Sequence, residues 1–169
     1  YETAEMAIKA ALTGHLVLST LHTNDAPSAI QRLVQMGIEP YLIASSIILI
    51  VAQRLVRKIC PHCKATTNLP DHLSLELGIN HEDCHALSFF KGTGCPICSH
   101  SGFKGRLAIY EIMRINEHIK HCILRELSNT DLKKEAVQSG MSTLRNSAIT
   151  KMKQGLTTAE EVIRITCEN

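Results

Sequence analysis

Two short cysteine pairs constrain the fold of this chain more than any other feature. Cys60-Pro-His-Cys63 and Cys95-Pro-Ile-Cys98 share the pattern Cys-Pro-x-Cys and stand 31 residues apart. Together they supply four soft thiolates, the donor set that suits tetrahedral Zn²⁺. The protein would fill all four positions, so the pattern predicts a structural zinc site with no place for an activated water. We expect residues 60–105, rich in Cys, His, Gly and Pro, to form a small inserted module.

Other readings of the cysteines stay open at this point. The chain has seven cysteines and shows no secretory signal that would favour a disulfide framework. The two pairs can also be redox pairs or unligated thiols. Five nearby side chains can replace a ligand: His62, His81, Cys84, His85 and His100. The symmetry of the two pairs argues against replacement, which leaves Cys84 as a spare thiol and makes Cys122 and Cys167 buried helix residues.

The composition excludes several classes of protein. Hydrophobic residues make up 44% of the 169 residues, which is enough for a buried core and unlike a disordered chain. The longest apolar stretch, residues 41–52, is too short to span a membrane and is interrupted by two serines. Eighteen basic residues against sixteen acidic ones, with no Trp, make a weak case for a nucleic-acid partner. We therefore predict a globular domain with no nucleic-acid partner.

The pattern before the module is typical of an α/β fold. Residues 15–21 predict a short buried strand, Asp25 is a good N-cap for the helix that follows, and Pro40 opens a helix that runs through Ile50. Residues 53–59 alternate like a strand. This order predicts part of an α/β sheet with too few strands to be a whole one.

Behind the module the chain is mostly helical. A strand is predicted over residues 106–115. Helices are predicted over residues 117–127, 132–139 and 142–152, and a last helix follows the possible capping boxes Thr157-x-x-Glu160 and Thr158-x-x-Glu161. The chain thus divides into a main body (1–59), a tetracysteine module (60–105) and a returning strand with a C-terminal helical subdomain (106–169).

Two histidines flank the first predicted strand. Ligands of open α/β sheets lie beyond the carboxyl ends of strands, which is where His22 stands. There, His22 can donate a hydrogen bond to a γ-phosphate or orient a water, or it can simply cap the turn with Asn24. His15 stands at the opposite end of the strand, where a structural role satisfied by a neighbouring group is the simpler interpretation.

Basic and amide side chains alternate with apolar residues on the second predicted strand. Gln53, Arg54 and Arg57 can line a nucleotide cleft or a subunit interface, since arginine pairs well with phosphate and carboxylate. They can equally form a solvated polar face. Lys104 and Arg106 close the cysteine module.

Several motifs together carry a family resemblance. Residues 13–26, TGHLVLSTLHTNDA, closely resemble the His box of the secretion ATPases that power type II secretion and type IV pilus assembly. The resemblance continues through MGIEP, AQRLVR, the first Cys pair, GCP, GFKGR and YE (residues 36–40, 52–57, 60–63, 94–96, 102–106 and 110–111) and into the C-terminal helices. The tetracysteine module resembles the assembly branch, since retraction-type pilus motors usually lack it.

The resemblance implies a hexameric, ring-forming ATPase with a RecA-like (P-loop NTPase) fold, of which residues 1–59 are part. It implies ATP and Mg²⁺ in the full-length parent, inner-membrane platform proteins as partners, and a cytoplasmic location, peripheral at the inner membrane. It makes His22 a catalytic or nucleotide-sensing residue. It also implies nucleotide-associated or subunit-interface roles for His15, Gln53, Arg54, Arg57 and Arg106. Lys104 departs from the family pattern, which often has Arg there.

No phosphate-binding loop is present in the sequence. The nine glycines never form the spacing G-x-x-x-x-G-K-[ST], so nothing cradles nucleotide phosphates. The chain also opens without Met. We therefore expect a C-terminal fragment of a motor ATPase that is inactive alone. The alternative function is a zinc-ribbon interaction or nucleic-acid-binding module. A nucleic-acid binder would be retained on a polyanion column with a steep salt dependence.

Replacing one predicted zinc ligand tests the ligand set. We expect Cys60→Ser to release the metal and to unfold the module locally, because a structural site needs all four thiolates. Metal content by atomic spectroscopy and thermal unfolding measure both effects. Full zinc and full thermal stability in this variant would show that the ligand set is wrong.

Overall fold

The computed structural model describes residues 2–80 and 88–166 of the chain. Its helices and strands are, in chain order, α1 (Glu2–Leu12), α2 (Ala26–Gln35), α3 (Pro40–Ser46), β1 (Leu49–Ile59), β2 (Lys64–Thr67), α4 (Asp71–Leu77), β3 (Phe89–Gly92), β4 (Phe103–Arg114), α5 (Glu117–Leu124), α6 (Asn129–Gln138), α7 (Leu144–Lys153) and α8 (Ala159–Thr166). A 3₁₀ turn covers Pro96–Cys98. None of the helices within the described ranges is long and apolar enough to cross a membrane.

The chain forms two compact units. The helical unit comprises Tyr1–Ala52 and Glu111–Thr143, and the cysteine unit comprises Gln53–Tyr110 and Leu144–Asn169. These boundaries differ from the three-part division at residues 59 and 105, which stays a prediction about the domains.

The helical unit has one apolar core, to which helices α1, α2, α3, α5 and α6 all contribute. Its most buried members include Ile43, Met113, Ile119 and Ala136. Asp25 begins α2 as predicted: its carboxylate accepts the Ser28 backbone N–H at 3.0 Å and the Lys133 ammonium at 2.8 Å. Burial alone would raise the pKa of Asp25, but these hydrogen bonds outweigh it and lower the pKa.

The cysteine unit is built on short antiparallel pairing and three helices. Strand β2 pairs with β3 in the register Lys64↔Gly92 to Thr67↔Phe89. Strands β1 and β4 form a second two-stranded sheet, of which residues 53–59 and 103–110 belong to this unit. Helix α8 packs against α7 and α4, and α7 also contacts β3. The predicted strand at residues 106–115 is thus confirmed, although β4 begins three residues earlier and ends one residue earlier.

A buried carboxylate ties β1 to α8 within the cysteine unit. The Glu161 side chain, 1% exposed, accepts Arg57 Nη2 at 2.6 Å, Arg57 Nε at 2.9 Å and the Arg57 backbone N–H at 3.0 Å. Arg164 Nε donates to it at 2.8 Å. Arg57 also stacks on the Phe103 ring, 4.2 Å from its centroid. Burial opposes ionisation, but these donors prevail and lower the pKa of Glu161 to about 2.

The start of α8 confirms half of one predicted capping box. The Thr158 hydroxyl accepts the Glu161 backbone N–H at 3.4 Å. The Glu161 carboxylate, however, accepts hydrogen bonds from Arg57 and Arg164 and does not form the second half of the capping box. Two charged partners stabilise a buried carboxylate more than one backbone N–H does.

Two predictions for the main body are wrong. Residues 15–21 form no strand, and Leu16 and Leu18 are 79% and 88% exposed. A strand needs a neighbouring strand to satisfy its backbone, and the described chain offers none there. Helix α3 ends at Ser46, and residues 49 and 50 already belong to β1. Three of the four residues in the run Ile47-Ile48-Leu49-Ile50 are β-branched isoleucines, which favour extended backbone.

The Glu161 ion pair predicts a pH-dependent stability. Glu161→Gln should lower the free energy of unfolding by about 2–3 kcal/mol at pH 7, because two arginines lose their charged partner. The depressed pKa makes this contribution complete above the ordinary pKa of 4.5 and removes it as the pH falls toward about 2. Denaturant titrations at pH 7, 4 and 2.5 should show the difference from the wild type shrinking.

Glu160→Gln is the matched control for this prediction. Glu160 lies in the first turn of the same helix and is exposed. Its variant should stay within about 0.5 kcal/mol of the wild type. Equal stability of Glu161→Gln and wild type at pH 7 would contradict the assigned role of the ion pair.

Candidate metal centre

Backbone hydrogen bonds bring the two cysteine pairs together. Strand β1 ends at Ile59, and the next residue, Cys60, donates its N–H to the Gly102 carbonyl at 2.9 Å. The Thr93 N–H donates to the Cys63 carbonyl at 2.9 Å, just beyond the β2–β3 ladder. The second pair closes on itself where the His100 N–H donates to the Cys95 carbonyl at 2.9 Å. Each knuckle is thus held by main-chain bonds that do not involve sulfur.

The four sulfurs lie at the separations that one small ion requires. Cys60 Sγ is 3.9 Å from Cys95 Sγ, Cys63 Sγ is 3.8 Å from Cys98 Sγ, and Cys95 Sγ is 3.7 Å from Cys98 Sγ. Sulfurs bound to Zn²⁺ at about 2.3 Å in a tetrahedron lie about 3.8 Å apart. All four cysteines are free thiols. This geometry fits a tetrathiolate zinc site and leaves no ligand position for water.

The thiols of the cluster differ in acidity. Burial and the neighbouring thiols raise the pKa of Cys63 to about 11. Burial opposes ionisation of Cys98 too, but backbone N–H groups of Cys95 and Gly102 and the adjacent thiols lower its pKa to about 6. The raised pKa keeps the Cys63 thiol protonated at neutral pH in the absence of a cation. A divalent cation among the four thiols would supply the positive charge that allows it to ionise.

A close backbone crossing supports the second knuckle. A Cβ on Gly102 would meet the Gly92 carbonyl oxygen at 2.6 Å, and Gly102 has φ +76°. A Cβ on Gly92 would in turn clash with the Gly102 carbonyl. The end of β3 and the segment after Cys98 therefore lie so close together that both positions require glycine.

The residues predicted to contact nucleotide or a subunit interface lie outside this centre. Gln53, Arg54 and Arg106 are exposed, and Arg57 is the partner of Glu161. His22 is exposed, and the His15 Nδ1 lies 3.0 Å from the Thr13 hydroxyl, a side chain in its own turn. The roles assigned to these six residues stay predictions. Three of the alternative metal ligands, His81, Cys84 and His85, and also Cys167, lie outside the described residues.

The sequence patterns did not identify one further group of side chains that could bind a metal ion. In the helical unit, α5 and α6 bring together His118, Cys122 and Glu135. The only sequence signal was the spacing of four between His118 and Cys122, which places both on one face of a helix. Nothing local points to Glu135, which arrives from the next helix.

Comparison with known proteins identifies relatives along nearly the whole chain. The family model "Type II/IV secretion system protein" matches residues 1–164. The type IV pilus assembly ATPase PilB of Myxococcus xanthus is 46% identical over 164 residues, which is 96% of this chain and 29% of that protein. The type II secretion system protein E of Pseudomonas aeruginosa is 44% identical over 99% of this chain and 33% of its own length. The chain thus spans about a third or less of these two relatives.

Two solved structures share the fold. The pilus retraction motor PilT, solved with bound ADP, superposes with a TM-score of 0.63 and 24% identity, covering 98% of this chain and 36% of that one. The ATPase DotB of Legionella pneumophila gives a TM-score of 0.63 at 21% identity, covering 99% and 36%. At this identity the likeness concerns the fold alone.

The glycine crossing predicts a sharp difference between two neighbouring substitutions. Gly102→Ala should destabilise the cysteine unit by about 2 kcal/mol or more, since the strain of a positive φ adds to the clash with Gly92. Gly105 has a similar φ of +79° but open space around its Cβ, so Gly105→Ala carries only the backbone strain, about 1 kcal/mol. Thermal unfolding and the rate of zinc loss to a chelator compare the two. Equal effects would contradict the steric role of the crossing.

Proposed function

The chain belongs to the type II/IV secretion system protein family, and from this premise we propose that it is the C-terminal part of a motor ATPase. The motor would couple ATP hydrolysis to pseudopilus or pilus assembly and protein export. The observation that carries the proposal is the family match over residues 1–164. Relatives named as pilus assembly and type II secretion ATPases, 46% and 44% identical, support it.

The chain by itself would be inactive. Its sequence lacks the G-x-x-x-x-G-K-[ST] loop that cradles nucleotide phosphates, and it spans only 29% and 33% of the two relatives above. ATP and Mg²⁺ would therefore bind to the full-length parent, in which another segment would carry the phosphate-binding loop.

The exposed apolar segment 15–21 supports a RecA-like core that extends beyond this chain. Leu16 and Leu18 expose most of their side chains although their surroundings in sequence are typical of a buried strand. In the parent, we expect this segment to be a strand paired with strands from the rest of the core. His22 would then stand at a strand's carboxyl end and face the γ-phosphate.

The basic residues of β1 and β4 would contact nucleotide or a neighbouring subunit in the hexameric ring. Arg54 and Arg106 are exposed on strands of the cysteine unit and carry a permanent charge suited to phosphate or to a neighbouring subunit's carboxylate. Arg57 is half-exposed and already engaged with Glu161, so its contribution would be to hold β1 in place. His15 and Gln53 complete the proposed nucleotide or interface set. Six copies of the parent would form the ring.

The tetracysteine module would be a rigid, zinc-stabilised protrusion that takes no part in hydrolysis. Its four sulfurs fit a closed tetrahedral site, and such sites stabilise folds and do not activate water. A rigid protrusion suits docking onto an inner-membrane platform protein. This partner would hold the motor at the cytoplasmic face of the inner membrane.

The proposal is tested in the full-length protein with one histidine substitution. His22→Ala should lower kcat about 100-fold, because loss of one donor to the transferring phosphate costs that much. His72→Ala, at an exposed position of α4, is the matched control and should stay within about twofold of the wild type. The isolated chain should show no turnover in the same assay. A wild-type kcat in His22→Ala would show that His22 has no catalytic role. Turnover by the isolated chain would contradict the proposal that the chain is inactive alone.

A further inference from the structure

A second group of metal-binding atoms lies in the helical unit, on two packed helices. His118 and Cys122 are four residues apart on α5, and Glu135 is on α6. His118 Nε2 is 2.6 Å from Glu135 Oε2 and 3.9 Å from Cys122 Sγ. One donor atom from each residue lies within 4.8 Å of the other two. Among residues 2–80 and 88–166, only this group and the four cysteines bring three or more such donors together.

The donor set is that of a borderline divalent ion. An imidazole nitrogen, a thiolate sulfur and a carboxylate oxygen are all ligands of Zn²⁺, and together they offset its two positive charges. In a tetrahedral site the nitrogen would lie about 3.4 Å from the oxygen and about 3.6 Å from the sulfur. The carboxylate must therefore move outward by about 0.8 Å and the sulfur inward by a few tenths of an ångström. Rotation of the side chains is enough for both movements.

The burial of the three residues suits an ion that enters from solvent. Cys122 is buried at 6% exposure, whereas the side chains of His118 and Glu135 are 56% and 32% exposed. The sulfur is thus the buried donor of the group, and the imidazole and carboxylate donors are accessible to solvent. Burial first, and then the Glu135 carboxylate, raise the pKa of the Cys122 thiol, with Arg125 opposing. The thiol therefore keeps its proton until a cation displaces it.

We propose that His118, Cys122 and Glu135 form a second divalent metal site, selective for Zn²⁺-like ions, with a fourth position open to water. The site clamps α5 to α6. It differs from the tetracysteine centre in having an exchangeable ligand position and one thiolate, so it binds more weakly and responds to the free zinc concentration. The inference uses only residues of the helical unit and does not depend on the motor function.

Co²⁺ titration of the chain loaded with one equivalent of Zn²⁺, which fills the tighter tetracysteine centre first, tests the site directly. Wild-type protein should bind one Co²⁺ beyond the tetracysteine metal, with the visible absorption of a four-coordinate ion that includes a thiolate. His118→Gln and Glu135→Gln should weaken this binding at least about 100-fold, since loss of a direct ligand exceeds the 10–100-fold cost of losing a supporting one. Cys122→Ser should remove the thiolate absorption, with circular dichroism to verify that its helices remain folded.

His121→Gln is the matched control. His121 lies on the same helix, beside Cys122, and is exposed. Its variant should bind the additional Co²⁺ like the wild type. Cys60→Ser should also bind it, so failure of the tetracysteine centre leaves this test intact. Wild-type protein that binds no additional Co²⁺, or binding that survives both His118→Gln and Glu135→Gln, would overturn the proposal.

Discussion

The convergence of four cysteine sulfurs is the constraint on which the cysteine unit depends. Segments on either side of the sulfurs are short: a four-residue ladder between β2 and β3 and a single 3₁₀ turn. Such pieces are marginal alone, because each buries little apolar surface. Main-chain bonds from Cys60 to Gly102 and from Thr93 to Cys63 bring the four sulfurs within 4.8 Å of one another. The fold thus presents a preformed site, and a bound ion would reinforce bonds that already exist.

The buried Glu161 carboxylate has a comparable role in the same unit. It holds β1 through the Arg57 side chain and backbone N–H, while the Thr157 hydroxyl donates to the Arg57 carbonyl at 2.9 Å. Both main-chain polar groups of Arg57 are therefore satisfied by residues at the start of α8. The strand that leads into Cys60 is positioned by this contact, which links a structural ion pair to the geometry of the metal centre.

The helical unit follows a different principle, in which an apolar core does most of the stabilising. Its polar contacts fix the start of α2: Asp25 binds Ser28 and Lys133, and the buried Glu111 carboxylate accepts the Ala26 N–H at 2.8 Å. The His118–Glu135 pair lies between α5 and α6 in the same way. The His118 and Glu135 side chains are partly exposed, so a metal ion can reach this contact from solvent.

The sequence by itself determined the features that arise from neighbouring residues. The spacing of the cysteine pairs, the N-cap at Asp25 and the helices behind residue 116 are encoded locally, because capping and knuckle geometry involve residues three or four apart. The family resemblance, confirmed over residues 1–164, has the same origin in contiguous motifs. Only the tertiary structure decided that Arg57 pairs with a residue 104 positions away, that Gly92 and Gly102 touch, and that Glu135 joins His118 and Cys122. It also showed that residues 15–21 do not form the strand that their sequence predicts. These outcomes depend on which segments meet in space, and a local pattern of residues carries no information about its distant partner.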